Sequence, residues 1–147
     1  MVTPSDGASP AETSMTEHAN RQAAESLFAA WERWDLDTLE CLVADDAIDS
    51  RPQSGEHFVG RANIMGMYRE VAGPPEITWR SIRGGPDVWV AEGIVEYGEG
   101  PVHLIGILEF TDGTMVKGDY YFANSFEPPE SRARWAADPL GEPRRQG

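Results

Sequence analysis

The apolar residues of this chain change their spacing once, near Glu76, from steps of three and four to steps of two. That switch restricts the fold to helices followed by a sheet. Before it, Ala23, Ala24, Leu27, Phe28, Trp31 and Trp34 form one stripe, and Ser14-Met15-Thr16-Glu17 supplies a capping box to open the helix that carries it. Asp35 or Asp37 caps a second, shorter helix with Leu36, Leu39, Leu42 and Val43 on one side. A short strand over Ala47 to Arg51 follows, and a third helix spans Gly60 to Ala72, ended by Gly73-Pro74-Pro75. After the switch, Ile77–Ile82, Val88–Tyr97, Val102–Phe110 and Met115–Asn124 are β-branched or aromatic runs separated by glycine turns, the pattern of antiparallel neighbours. An α+β layout with the helices on one sheet face accommodates all of it.

Size and charge bound the rest. A chain of 147 residues can bury about 70% of its unfolded surface, enough for one core without staples. Cys41 is the single cysteine, which excludes an intrachain disulfide and any cysteine-based zinc site. The formal charge is −13, from 25 acidic against 12 basic residues, so phosphate backbones and anionic lipid are repelled. Neither nucleic acid nor membrane is an expected partner. No apolar run reaches the length of a membrane span and no secretory signal is read, so a cytoplasmic protein is expected. Residues 1–13 and 138–147 lack a periodic apolar face and are expected to be flexible tails around a domain at 14–137, with a turn over Arg132 to Ala137 laying Trp135 on the body.

Two motif runs carry a resemblance. Ala44-Asp45-Asp46-Ala47 leads to Gln53-Ser54-Gly55-Glu56 and then to Gly60-Arg61-Ala62-Asn63-Ile64. Asp112-Gly113 leads to the stretch from Asp119 to Pro129 and then to Arg132-Ala133-Arg134-Trp135. In order and spacing these runs resemble the SnoaL-like branch of the nuclear-transport-factor-2-like superfamily, from about Glu17 to Ala137. The resemblance implies a cone-shaped α+β fold, with three N-terminal helices packed on a curved antiparallel sheet. It also implies a homodimer through the outer sheet face. It leaves activity open, because this scaffold hosts enzymes, transport factors and binding proteins.

Strand parity points to a pocket independently. Trp89, Ala91, Gly93, Val95 and Tyr97 share one face, as do Val102, Leu104, Gly106, Leu108 and Phe110, and glycine in such rows marks a bend or room for something to approach. The opposite face carries His103, Ile105, Ile107 and Glu109. Trp31, Met65, Trp79, Trp89, Leu104 and Phe122 suit a flat hydrophobic ligand.

Candidate chemistry is thinner. Against the ketosteroid-isomerase relatives, Arg51 stands where the proton-shuttling carboxylate is expected, Gly106 where the acid donor is, and Leu27 or Phe28 where the tyrosine is. These departures argue against isomerase chemistry. The cyclase and epoxide-hydrolase branches imply an aspartate at the position of Tyr120, unless a one-residue slip turns Asp119 inward. Arg51 and Tyr120 remain as donors that could hold a ligand oxygen, or could be a mouth ion pair and an ordinary core aromatic. The histidines lack metal-ligand spacing, so neither metal nor cofactor is expected. Two functions follow. The first is binding of a small apolar, oxygen-bearing molecule at Arg51 and Tyr120. The alternative is a cyclase, isomerase or hydrolase-like enzyme using Asp119 or Asp49 as general acid and base.

Overall fold

The computed structural model describes residues 9–137. Helix α1 spans Pro10–Arg33 and α2 spans Leu36–Leu42. Strands β1 (Val43–Arg51) and β2 (Glu56–Val59) form a hairpin, and α3 (Arg61–Arg69) follows. Then come β3 (Glu76–Gly84), β4 (Val88–Glu96), β5 (Pro101–Thr111) and β6 (Thr114–Asn124), and a 3₁₀ turn over Glu130–Trp135. Among the described residues no helix is long and apolar enough to cross a membrane.

Helix α1 begins before the expected Ser14. Ser9 and Glu12 form the capping box, each side chain accepting the other's backbone N–H at 3.2 Å, and Pro10 occupies the first turn, where its missing N–H costs nothing. The chain holds two successive Ser-x-x-Glu signals, at 9–12 and 14–17, and uses the first. Of the tails expected at 1–13 and 138–147, residues 10–13 belong to α1, and residues 1–8 and 138–147 lie outside the described residues. At the helix end Trp34 takes a left-handed conformation (φ 54°), and Asp35 then caps α2 by accepting from the Thr38 amide and hydroxyl. Trp135 does not pack on the body. It is 77% exposed, with the Arg134 guanidinium over its ring.

The sheet corrects the expected architecture in three respects. Only α1 and α2 precede the first strand, because the third helix is inserted after the β1–β2 hairpin. The strand order is β2-β1-β6-β5-β4-β3, so the sheet is open, with β2 and β3 as edges, and is not a curved cone. It is mixed, not antiparallel throughout, since β1 runs parallel to β6 while every other pair is antiparallel. The physical reason is connectivity. A strand that returns beside one laid down much earlier, with a helix and four strands between, is free to pair in parallel, which a tight turn forbids.

Helices cover one face of this sheet. Ala91, Val95, Leu104, Leu108 and Tyr120 are buried there against Leu27, Phe28, Ile64 and Met65. His103 and Glu109 lie on the opposite, exposed face. The glycines expected to leave room are already occupied: a Cβ at Gly93 would stand 2.8 Å from the Trp79 ring and 2.6 Å from the Thr78 carbonyl oxygen. At Gly106 it would stand 3.3 Å from the Tyr120 ring, and at Gly118 only 2.7 Å. The glycines seat aromatic side chains of the protein itself.

Candidate functional site

Beside that aromatic layer the helices and sheet leave a cavity of about 480 Å³. Trp31 and Trp34 from the end of α1 form one wall, and Ile77 and Trp79 on β3, Val95 on β4 and Leu104 on β5 form another. Its polar side is built by β1, α3 and β6. Alternation along β1 turns Ala47, Asp49 and Arg51 toward the helices, and the helical step from Ile64 and Met65 brings Tyr68 onto the same side.

These residues form one network. The Tyr68 hydroxyl donates to Asp49 Oδ2 at 2.5 Å, and Arg51 Nη2 donates to the Tyr68 oxygen at 2.9 Å. Arg51 Nε lies 3.1 Å from Asp49 Oδ1. Its N–H is not aimed at that oxygen, which is left buried without a hydrogen-bond partner among the described residues. The Arg51 guanidinium stacks 4.6 Å from the centre of the Tyr120 ring and 5.2 Å from that of Phe122. Such contacts are worth up to about 2 kcal/mol when shielded from water.

The electrostatics follow from burial. Asp49 is fully enclosed, and the loss of water raises its carboxyl above the ordinary 3.8, although Arg51 and Tyr68 pull the other way. Burial likewise pushes both phenols up: Tyr68 helped by Tyr120 and Asp49, and Tyr120 helped by Asp49. Both remain neutral donors at any physiological pH. The Asp49–Arg51 pair carries no net charge while the carboxylate is ionised.

The expected site residues separate into three groups. Arg51, Tyr120, Trp31, Leu104 and Phe122 line the cavity. Met65, Trp89, Gly93 and Gly106 do not: Met65 is fully enclosed in the core, and Trp89 packs elsewhere, its indole donating to Pro86 O at 3.3 Å beneath Arg21. Asp49 lies behind Arg51 and Tyr68, off the cavity surface. Asp119 faces the exposed side, 3.6 Å from Lys117 and opposite Ile107, because the strand has not slipped. An inward Asp119 is thereby corrected.

Sequence reasoning missed Tyr68 and Gln53. Tyr68 looked like one more apolar position of a helix stripe, yet a buried tyrosine needs a partner for its hydroxyl. The two-residue spacing of Asp49 and Arg51, which puts them on one strand face, was the available signal. Gln53 sits in the β1–β2 turn, where its amide nitrogen donates to Phe122 O at 2.7 Å and its oxygen accepts from Phe122 N at 2.5 Å. Nothing in its neighbourhood announced this.

Known proteins share the architecture. A structure of a nuclear-transport-factor-2-like protein of unknown function from Burkholderia xenovorans LB400 is 32% identical, with a TM-score of 0.75, covering 84% of this chain and 98% of that one. A protein from Kribbella flavida DSM 17836, provisionally named a ketosteroid isomerase, is 22% identical with a TM-score of 0.78, over 90% of this chain and 99% of its own. An epoxide hydrolase from M. tuberculosis, described as LEH-like, is 22% identical with a TM-score of 0.60, over 73% of this chain and 84% of its own. At such identities these last two show the fold alone. No curated protein sequence matches the chain. The sequence profile of the SnoaL-like domain matches residues 24–118. With that match, and with the Burkholderia relative aligned over nearly its whole length, the chain belongs to the SnoaL-like family.

Proposed function

We propose that this protein binds a small, largely apolar molecule in the cavity, with an acceptor oxygen of that molecule held by Arg51 and Tyr120. The observation that carries the reading is the distribution of polarity. Walls of tryptophan, isoleucine and leucine meet a cluster of converging donors on one side, the usual composition of a small-molecule site. A flat ketone such as 2-acetonaphthone is expected to bind and quench the fluorescence of the wall tryptophans. Tyr120→Phe should weaken it about fivefold, one ordinary hydrogen bond, while leaving naphthalene unaffected. Absence of quenching, or equal affinity in the Phe variant, would refute the assignment.

A second reading, an enzyme in which Asp49 moves a proton, draws on the 2.5 Å contact between Tyr68 and this buried carboxylate. It differs from the first in requiring chemical turnover. Asp119 supports neither, given its orientation.

We also propose that two copies pair through the sheet face that no helix covers among the described residues. Ile48, Val90, Ile105 and Tyr121 are 38–41% exposed there, with Val90 beside Ile107 and Ile105 beside Tyr121 across the strands. Lys117 stands there beside Glu109 and Asp119, so a two-fold axis that sets the lysine of one copy against an acid of the other adds attraction across the seam. Sedimentation equilibrium should give a dimer for the native chain and a monomer of unchanged circular dichroism for Ile105→Lys. A native chain that sediments as a monomer at tens of micromolar rules the pairing out.

A further inference from the structure

Arg51, Tyr68 and Tyr120 present donors to the cavity, and the carboxylate in contact with them, Asp49, is shut behind them. Tyr68 connects the two. Its oxygen accepts from Arg51 and its proton points at Asp49 Oδ2, so it stands as the middle member of a chain running from the cavity wall to a buried carboxylate. The other carboxylate oxygen has no hydrogen-bond partner among the described residues, and the charge of Arg51 is balanced by Asp49 while that carboxylate is ionised. Resting on the cavity assignment above, we propose that the site selects weak organic acids with an ionisable O–H, such as phenols, enols or carboxylic acids, and holds each as its conjugate base with the proton placed on Asp49.

The transfer balances. The O–H bond of the ligand breaks and its electron pair stays on the ligand oxygen. That proton passes to the Tyr68 oxygen, while the proton already on Tyr68 passes to Asp49 Oδ2. Asp49 ends as a neutral acid donating to Tyr68, and the Tyr68 hydroxyl now donates to the ligand anion. Protein and ligand together gain and lose no charge. The exchange replaces one partner of Arg51, a carboxylate it meets with poor alignment, by another that its guanidinium can face directly.

The charged and ionisable groups that face Asp49 or the cavity are Arg51, Tyr68, Tyr120, Asp119, Glu56 and Tyr97, the last lining the cavity just beyond β4. Arg51 on β1 stabilises whichever anion remains. Tyr68 on α3 and Tyr120 on β6 are donors kept neutral by burial. Asp119, reaching Asp49 from the outer side of β6, opposes its ionisation, as burial already does. Glu56 on β2 lines the mouth, and α1 contributes only the uncharged Trp31 and Trp34. A bound anion repels the Asp49 carboxylate further and draws the proton to it.

The test uses 4-nitrophenol, colourless as the phenol and yellow as the phenolate, beside 4-nitroanisole, its methyl ether. Between the range in which Asp49 itself takes up a proton in the free protein and the pKa of free nitrophenol, the native protein should turn the bound probe yellow, with an affinity that does not vary with pH because no proton is exchanged with solvent. Above that pKa the affinity should fall about tenfold per pH unit, since a proton must then be taken up. Asp49→Asn has nowhere to store the proton. Its affinity should rise about tenfold per pH unit below the probe's pKa and level off above it. Nitroanisole binding by the Asn variant shows that it is folded. A colourless bound probe, or identical pH profiles for the two proteins, overturns the proposal while nitroanisole binding preserves the cavity assignment. If neither probe binds, both fall.

Discussion

Replacing Arg51 by methionine lowers the unfolding free energy by about 3–5 kcal/mol, the cost of leaving a buried carboxylate without its counter-charge. Arg51 is itself only 14% exposed and Asp49 not at all, so water cannot take over the role of the guanidinium. Methionine keeps much of the packing against Tyr120 and Phe122, which assigns the loss to charge and not to volume. Adding Asp49→Asn to the same chain should recover most of the loss, since the amide carries no charge to strand. Urea denaturation of the four proteins gives the coupling energy directly. A cost below about 1 kcal/mol for the single variant, typical of surface pairs, would mean the pair is solvated after all.

Trp31→Ala is expected to cost a similar 3–5 kcal/mol, through lost contacts and the void left behind. Trp31 is 7% exposed and meets the Tyr68 ring edge to face at 4.5 Å, with Trp34 at 5.5 Å and Tyr120 at 6.1 Å. Removing it frees Tyr68 to leave Asp49, so affinity for 2-acetonaphthone should collapse with stability. Trp31→Phe, which keeps an edge-on ring, should restore much of both. An alanine variant that melts like the native protein, measured by circular dichroism, would show that the aromatic layer does not hold the site together.

Much of this layout was legible because it depends on local periodicity. The stripe through Leu27, Phe28 and Trp31 and the alternation through Val95 and Leu104 both state which side is buried. Parity also separated Tyr120 from Asp119 and turned His103 outward. What parity cannot say is how a glycine's space is used. Gly93 and Gly106 read as room for a ligand, and the protein fills both with its own Trp79 and Tyr120. The same limit applies to contacts between distant segments. Asp49 and Tyr68 are nineteen residues apart on different elements, and only packing of α3 on β1 brings them into contact. The short strand β2 was missed for a related reason: four mostly exposed residues at an edge show too little alternation to register. The parallel pairing of β1 with β6, and with it the open sheet, lies in connectivity that no local pattern encodes.

The amide of Gln53 ties the loop after β1 to the main chain of β6, three residue pairs beyond Ser50 and Asp119, the last pair between those strands. That side of the entrance is therefore stiff, since shifting it means dragging the strand that holds Tyr120. The facing rim, from Val71 to Pro75, leaves α3 through Gly73 and has no comparable cross-link among the described residues. A molecule too bulky for the doorway would be admitted by displacement on the Pro75 side, so substitutions that widen the range of guests belong there and not beside Gln53.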